Sequence, residues 1–139
     1  MSWIVTRLIN IMKFNNDSLR EAVNEWVNGQ QKAEGKYGHI STWDTSDVTD
    51  MSNLFNLTNA QRFNENISSW DVSQVTTMSL MFAECRDFNQ DISGWDVSQV
   101  TIMHGMFINA AAFNQDIGTW DVSSVTNMEA MFSCAAAFN

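Results

Sequence analysis

Lysine and arginine are scarce in this chain. Seven of them stand against sixteen aspartates and glutamates, a net charge of −9 over 139 residues, and they are scattered instead of gathered into a stripe. A polyanion is repelled by such a surface, so nucleic acid and anionic lipid are poor partners. Long apolar runs are lacking too. The longest, "MSWIVTRLINIM" from Met1 to Met12, is broken by Thr6, Arg7 and Asn10 and falls well short of the ~20 residues that cross a bilayer. It carries neither the basic start nor the small-residue cleavage site of an export signal. Membrane insertion and secretion are therefore not expected from the sequence, and the cellular location stays open.

Chemistry-bearing residues are few. His39 and His104 are the only histidines, and neither stands near a cysteine at metal-ligand spacing, so no zinc site is expected. The two cysteines, Cys85 and Cys134, occupy different positions of a repeat and lie two repeats apart. At the ~4.8 Å spacing of parallel backbones that separates them by roughly 10 Å, beyond the ~7 Å reach of a disulfide. Free thiols are expected, with Cys85 a small buried residue whose row is filled elsewhere by Ala110 and Ala135. A nucleophile triad has no distinctive support. The reading is of a chain without catalytic residues, metal ligands or cofactor.

What the chain does have is repetition. "FNQDISGWDVSQVTIMHGMF" from Phe88 is followed by "FNQDIGTWDVSSVTNMEAMF" from Phe113. Trp–Asp recurs at Trp43, Trp70, Trp95 and Trp120, at intervals of 27, 25 and 25, and Phe–Asn recurs at Phe63, Phe88, Phe113 and Phe138, each 25 apart. The two extra residues of the first interval fall between Phe55 and Phe63, where a loop accepts them. A propeller blade needs ~40 residues, so Trp–Asp at this period does not indicate one. A unit this short cannot bury its own apolar face; it must stack on copies of itself.

Within the unit, Phe88 to Ile92 followed by Ser93 and Gly94 predicts a brief strand and a turn. Val100, Met103, Met106 and Phe107, at i, i+3, i+6 and i+7, predict one or two helical turns with Ser98 or Thr101 as cap. The expectation is an α/β fold: a leucine-rich-repeat-like solenoid of short strand plus short helix. Ile40, Ile67, Ile92 and Ile117 would form one core row, and Val48, Val75, Val100 and Val125 another. Residues 1–36 form an N-terminal segment with a capping helix and 37–139 the repeat, one domain in all. The cap is "DSLREAVNEWVNG", with Leu19, Ala22, Val23, Trp26 and Val27 on one face, a Ser18 and Glu21 capping box before them and Gly29 after.

"FNQDISGWDVSQVT" followed by the M-x-x-M-F pattern resembles the tandem repeat of the BspA-like surface proteins, relatives of the leucine-rich repeats. The entry "REAVNEWVNG…KYGHISTWDTSDVTDMSNLF" resembles the start of such arrays. The likeness runs from about Asn15 to Asn139. It implies a repeat fold, and roles in display, adhesion or protein binding.

Repeated polar residues invite a site. Asp44, Asp71, Asp96 and Asp121 form one ladder, and Asp91 and Asp116 join Asn66 in another. Stacked carboxylates repel unless a cation bridges them or each accepts from its own turn, and the second alternative is the expected one. The methionine rows Met78, Met103, Met128 and Met81, Met106, Met131 are read as core. The threonine row Thr49, Thr76, Thr101 and Thr126 raises ice binding, against which stand its single file and its predicted helical setting. The expected function is a non-catalytic protein-binding or assembly module, with a cell-surface or virion adhesin or display protein as the alternative; an enzyme, which would need a pocket with a non-repeated polar cluster, or an ice-binding protein ranks lower. Glu65, Gln90 and Gln115, which vary along the predicted strand, are the expected partner surface. Val125, Met128, Met131, Phe132 and Phe138 are the expected self-association surface at an uncapped C-terminal end with unpaired strand amides, giving a homo-oligomer by tail-to-tail contact or docking on a partner that supplies the missing coil.

Overall fold

The computed structural model describes residues 12–139; the apolar opening stretch, read above as neither membrane span nor export signal, lies outside them except for Met12. Helix α1 spans Asn16–Asn28. The Asn15 side chain accepts from the Ser18 amide, and the Ser18 hydroxyl accepts from the Asn15 amide. The capping box therefore sits three residues before the expected Ser18 and Glu21 pair. Asn is as good a cap as Ser, and this start still buries Leu19, Ala22, Val23 and Trp26 on one face. Gly29 ends the helix. A second helix, α2, Gln30–Tyr37, has no counterpart in the sequence reading; it buries only Ala33, too weak a pattern to announce it. A single 3-10 turn, Ile40–Thr42, leads into the repeats.

From there the expected strand-and-helix solenoid is not what forms. Among the described residues no strand extends beyond an isolated bridge, and after Thr42 there is no helix. The spacing of three that suggested helix belongs to consecutive tight turns: the amides of Val100, Met106, Ile108, Ala110 and Phe113 donate to Val97, Met103, Gly105, Phe107 and Ala110, each three residues back. Left-handed residues explain why neither regular element propagates. Asn53, Leu80, Gly105 and Ala130, at one repeat position, have φ between 56° and 58°; Glu84, Asn109 and Cys134 follow at 56–65°. Such residues interrupt a helix and an extended strand alike. Apart from one between Lys13 and Asp44 at the entry, the parallel bridges join Asp50, Thr77, Ile102 and Asn127, in the segment read as helix, whereas the segment read as strand is held by side chains.

The turn-built coils stack in register. Phe55, Phe82, Phe107 and Phe132 lie ring over ring at 5.5–5.6 Å, with interplanar angles of 4–6°; a second file of Phe63, Phe88, Phe113 and Phe138 runs beside it at 6.0–6.1 Å. Each tryptophan of the later coils donates its indole N–H to the isoleucine carbonyl of the coil before: Trp70 to Ile40, Trp95 to Ile67, Trp120 to Ile92. That bond satisfies the one polar atom of a buried indole. The expected isoleucine, valine, tryptophan and methionine rows are buried through the interior coils.

Candidate functional site

The polar ladders are built from local turns. The carboxylates of Asp44, Asp71 and Asp96 each accept from both the amide and the hydroxyl of the serine two residues on, with hydroxyl distances of 2.6 Å. Asp91 uses Ser93 the same way, and Asn66 uses Ser68. These are Asx turns, and the serine hydroxyls with the backbone amides hold Asp91 and Asp96 below the usual carboxylate range. Among the described residues no three His, Cys, Asp or Glu gather as a metal site would require. His39 faces Glu65 at 3.6 Å, and His104 stands far from it along the stack.

The expected partner residues share one file but are engaged within the molecule. Gln90 donates to the backbone and side-chain oxygens of Asn64, and Gln115 repeats this on Asn89. Glu65, at the first place of the file, meets His39 instead. The threonine row does not open helices; its hydroxyls at Thr76, Thr101 and Thr126 donate to the threonine carbonyl of the preceding coil.

The two ends of the stack are unlike. At the entry, α1 covers the first coil: Trp26 meets Trp43 edge to face at 5.7 Å, and Arg20 donates to the carbonyls of Ser52 and Asp50 and to the Asp50 carboxylate. At the far end the same rows come into solvent. Met128 is 42% and Val122 38% exposed, where their counterparts Met103 and Val97 are 0% and 1%. With Trp120, Met131, Phe132 and Phe138 they line an open, mainly apolar depression of about 520 Å3, rimmed by Asn114, Gln115 and Asp116. Four of the five expected self-association residues line it; Val125 is half-buried beside them.

That depression has a donor edge. Along the stack the amides of one segment all point toward the following coil. Met78, Leu80, Phe82 and Glu84 donate to Ile102, His104, Met106 and Ile108; Met103, Gly105, Phe107 and Asn109 donate to Asn127, Glu129, Met131 and Ser133. The next set, Met128, Ala130, Phe132 and Cys134, donates to nothing among the described residues. Unpaired amides are expected from the sequence at this end on the segment read as strand; they lie instead on the segment read as helix, and the opposite row, whose carbonyls at Asp50 and Ser52 Arg20 takes, is not foreseen. The row could not be read because it depends on left-handed residues at Leu80, Glu84, Ala130 and Cys134 as well as at Asn53, Gly105 and Asn109, and only the last three favour that region.

A sequence family described as "Mycoplasma protein of unknown function, DUF285" matches residues 21–139. The chain belongs to that family. The match begins inside α1 and takes in every coil. No curated protein matches the chain, and no solved structure does. No helix among the described residues is long and apolar enough to cross a membrane.

Proposed function

We infer that this member of the DUF285 family is a non-catalytic polypeptide-binding or assembly module, and that its apolar face at Met128 is covered by further polypeptide. The observation that carries the reading is the contrast between Met103 and Met128, identical in repeat position and opposite in exposure. An apolar depression with a polar rim and unpaired backbone donors is the kind of surface that another chain covers. Self-association through Val125, Met128, Met131, Phe132 and Phe138 is one form of this reading. The likeness of the repeat to BspA-like surface proteins supports a binding role over a catalytic one, as does the use of the ladder carboxylates as acceptors within their own turns.

The test is differential capture. Immobilised chain and its Met128→Lys variant are exposed to extract of the native host, and sedimentation of both at micromolar concentration reads self-association. Polypeptides or oligomers found with the parent and lost in the variant support the reading. Identical behaviour of the two overturns it, because Met128 lies at the centre of the exposed face.

A further inference from the structure

Each tryptophan of the repeat is preceded by the same small turn, and its leading position is filled differently along the stack. His39 Nδ1 accepts from the Ser41 amide, Asn66 Oδ1 from the Ser68 amide, the Asp91 carboxylate from Ser93 and the Asp116 carboxylate from Gly118. At Asn66 and Asp91 the serine hydroxyl donates to that same oxygen as well, at 2.7 and 2.6 Å. Two donors aimed at one oxygen favour negative charge on it. Asp91 is accordingly held below the usual carboxylate range, by the Ser93 hydroxyl first and the Ser93 amide second. Asn66 is the one carboxamide in this file, and it sits in a turn that elsewhere stabilises an anion.

A carboxamide nitrogen is a poor nucleophile because its lone pair is delocalised into the carbonyl. Loss of a proton from Nδ2 restores the nucleophile and puts the charge on Oδ1, where the Ser68 amide and hydroxyl already point at 3.0 and 2.7 Å. Asn66 is exposed, and its Nδ2 donates to nothing among the described residues. Attack on the same carboxamide by the Ile67 amide, the route to deamidation, is hindered because Ile67 is β-branched and fully buried.

Asn66, Ile67 and Ser68 also form an N-x-S triplet, the acceptor pattern for sugar attachment to asparagine. Two further triplets of the N-x-S/T kind, at Asn16 and Asn56, provide an internal comparison. Asn16 lies in the first turn of α1, where its Oδ1 accepts from the Thr49 and Asp50 amides and its Nδ2 donates to the Thr49 hydroxyl. Its Ser18 hydroxyl is engaged with Asn15. Asn56 is half-buried and donates its Nδ2 to the Asn53 side chain. Only Asn66 combines exposure, a free Nδ2 and the hydroxyl of its own triplet on Oδ1.

We propose that Asn66 is a glycosyl acceptor, with the Ser68 hydroxyl and amide as the pair that activates its carboxamide. A bond forms between Nδ2 and the anomeric carbon of a glycosyl diphosphate donor, and the anomeric C–O bond to the diphosphate breaks. The diphosphate leaves with the bonding pair, and the Nδ2 proton passes to a base of the transferase. The site lies near the entry of the stack and is independent of the polypeptide-binding reading at Met128.

The experiment begins with chain purified from its native host, digested and mapped by mass spectrometry. A saccharide on Asn66, with Asn16 and Asn56 bare, is expected. Recombinant full-length chain is then incubated with host extract and labelled sugar, supplied in one arm as the nucleoside diphosphate and in the other as the polyprenyl diphosphate. The arm that labels Asn66 identifies the carrier. Asn66→Asp loses the label while keeping the fold, since the file already holds Asp91; Ser68→Ala loses it and Ser68→Thr keeps it. A transferase-free measurement isolates the carboxamide itself: base-catalysed exchange of the Asn66 Nδ2 protons, followed by NMR, slows in Ser68→Ala. A hydroxyl that merely held the turn would leave that exchange unchanged or, once removed, let it quicken. Bare Asn66 in the host-derived chain overturns the proposal, as do label in neither arm, label shared with Asn16 or Asn56, and side-chain exchange that fails to slow in Ser68→Ala.

Discussion

The entry and the far end of this stack are made of the same rows yet differ in nearly every physical respect. At the entry an amphipathic helix adds Leu19, Ala22, Val23 and Trp26 to the core and an arginine takes two of the outward carbonyls, those of Asp50 and Ser52. At the far end the rows run out into solvent with their amides unpaired. The difference teaches that a repeated sequence specifies an interior, not a boundary: each coil is completed by its neighbours, so the residues that finish an end must come from outside the repeat.

The largest effects should separate interior from end. Trp95 is buried beside Phe82 and donates to the Ile67 carbonyl, so Trp95→Ala should cost about 3–5 kcal/mol by reversible denaturation. Met103→Ala should cost about 2–5 kcal/mol and Met128→Ala, at a half-open site, no more than about 0.5 kcal/mol. Equal costs at Met103 and Met128 would mean that the far end is covered in solution. A Trp95→Ala variant within about 1 kcal/mol of the parent, the range of ordinary changes, would remove the buried tryptophan file.

Next comes the device that closes the entry. Arg20 makes its bonds in a partly exposed setting, its side chain 36% accessible, so Arg20→Ala should cost about 1.5 kcal/mol, the lower end for bonds to a charged group. Arg20→Lys should recover little, because an ammonium cannot span two carbonyls as a planar fork does. Full rescue by lysine would show that charge alone, and not the pairing of the carbonyl row, closes this end.

Much of this contrast could be read from the sequence, and part could not. The period and the core rows follow from residue identity at a spacing of 25, and the capping helix from apolar residues three and four apart. The local backbone did not follow, because a run of tight turns and a helix both place apolar residues three apart, and Val97, Val100, Met103 and Met106 fit either. What distinguishes them is the sign of φ at Leu80, Glu84 and Ala130, residues with no preference for the left-handed region. Tertiary register overrides local propensity there, and the aligned amides that define the candidate site are its consequence.

A smaller and purely chemical difference lies in the thiols. Cys85 is buried in the interior, its Sγ donating to the Phe55 carbonyl at 3.2 Å, and burial pushes its pKa up to about 12. Cys134 is exposed on the amide row. A disulfide reagent at pH 8 should therefore modify one thiol per folded chain, mapped to Cys134, and reach Cys85 only on unfolding. Modification of Cys85 at a comparable rate would show that the interior coils open readily.

The smallest effect concerns charge along the ladder. Asp96 is held low by the Ser98 hydroxyl first and the Ser98 amide second, and Asp44 by the same two bonds from Ser46 with a further contribution from Lys13. A carboxylate whose pKa is depressed in the folded state stabilises that state above the ordinary aspartate pKa, and the contribution is lost as pH falls through the folded value. Stability should thus be flat from about pH 6 down to about pH 4 on account of these groups and decline below that. Ser98→Ala removes the leading cause, so the Asp96 carboxyl should titrate closer to an ordinary aspartate, read by carbon NMR, with Asp44 unmoved. Raised salt should move the two apart in sign, shifting Asp44 upward as Lys13 is screened and Asp96 slightly downward as the repulsion from Asp121 is screened, since the hydrogen bonds of both are short-range. If Asp96 titrates unchanged in Ser98→Ala, the turn hydroxyl is not what reconciles stacked carboxylates, and repulsion along the ladder must be relieved by something between the coils.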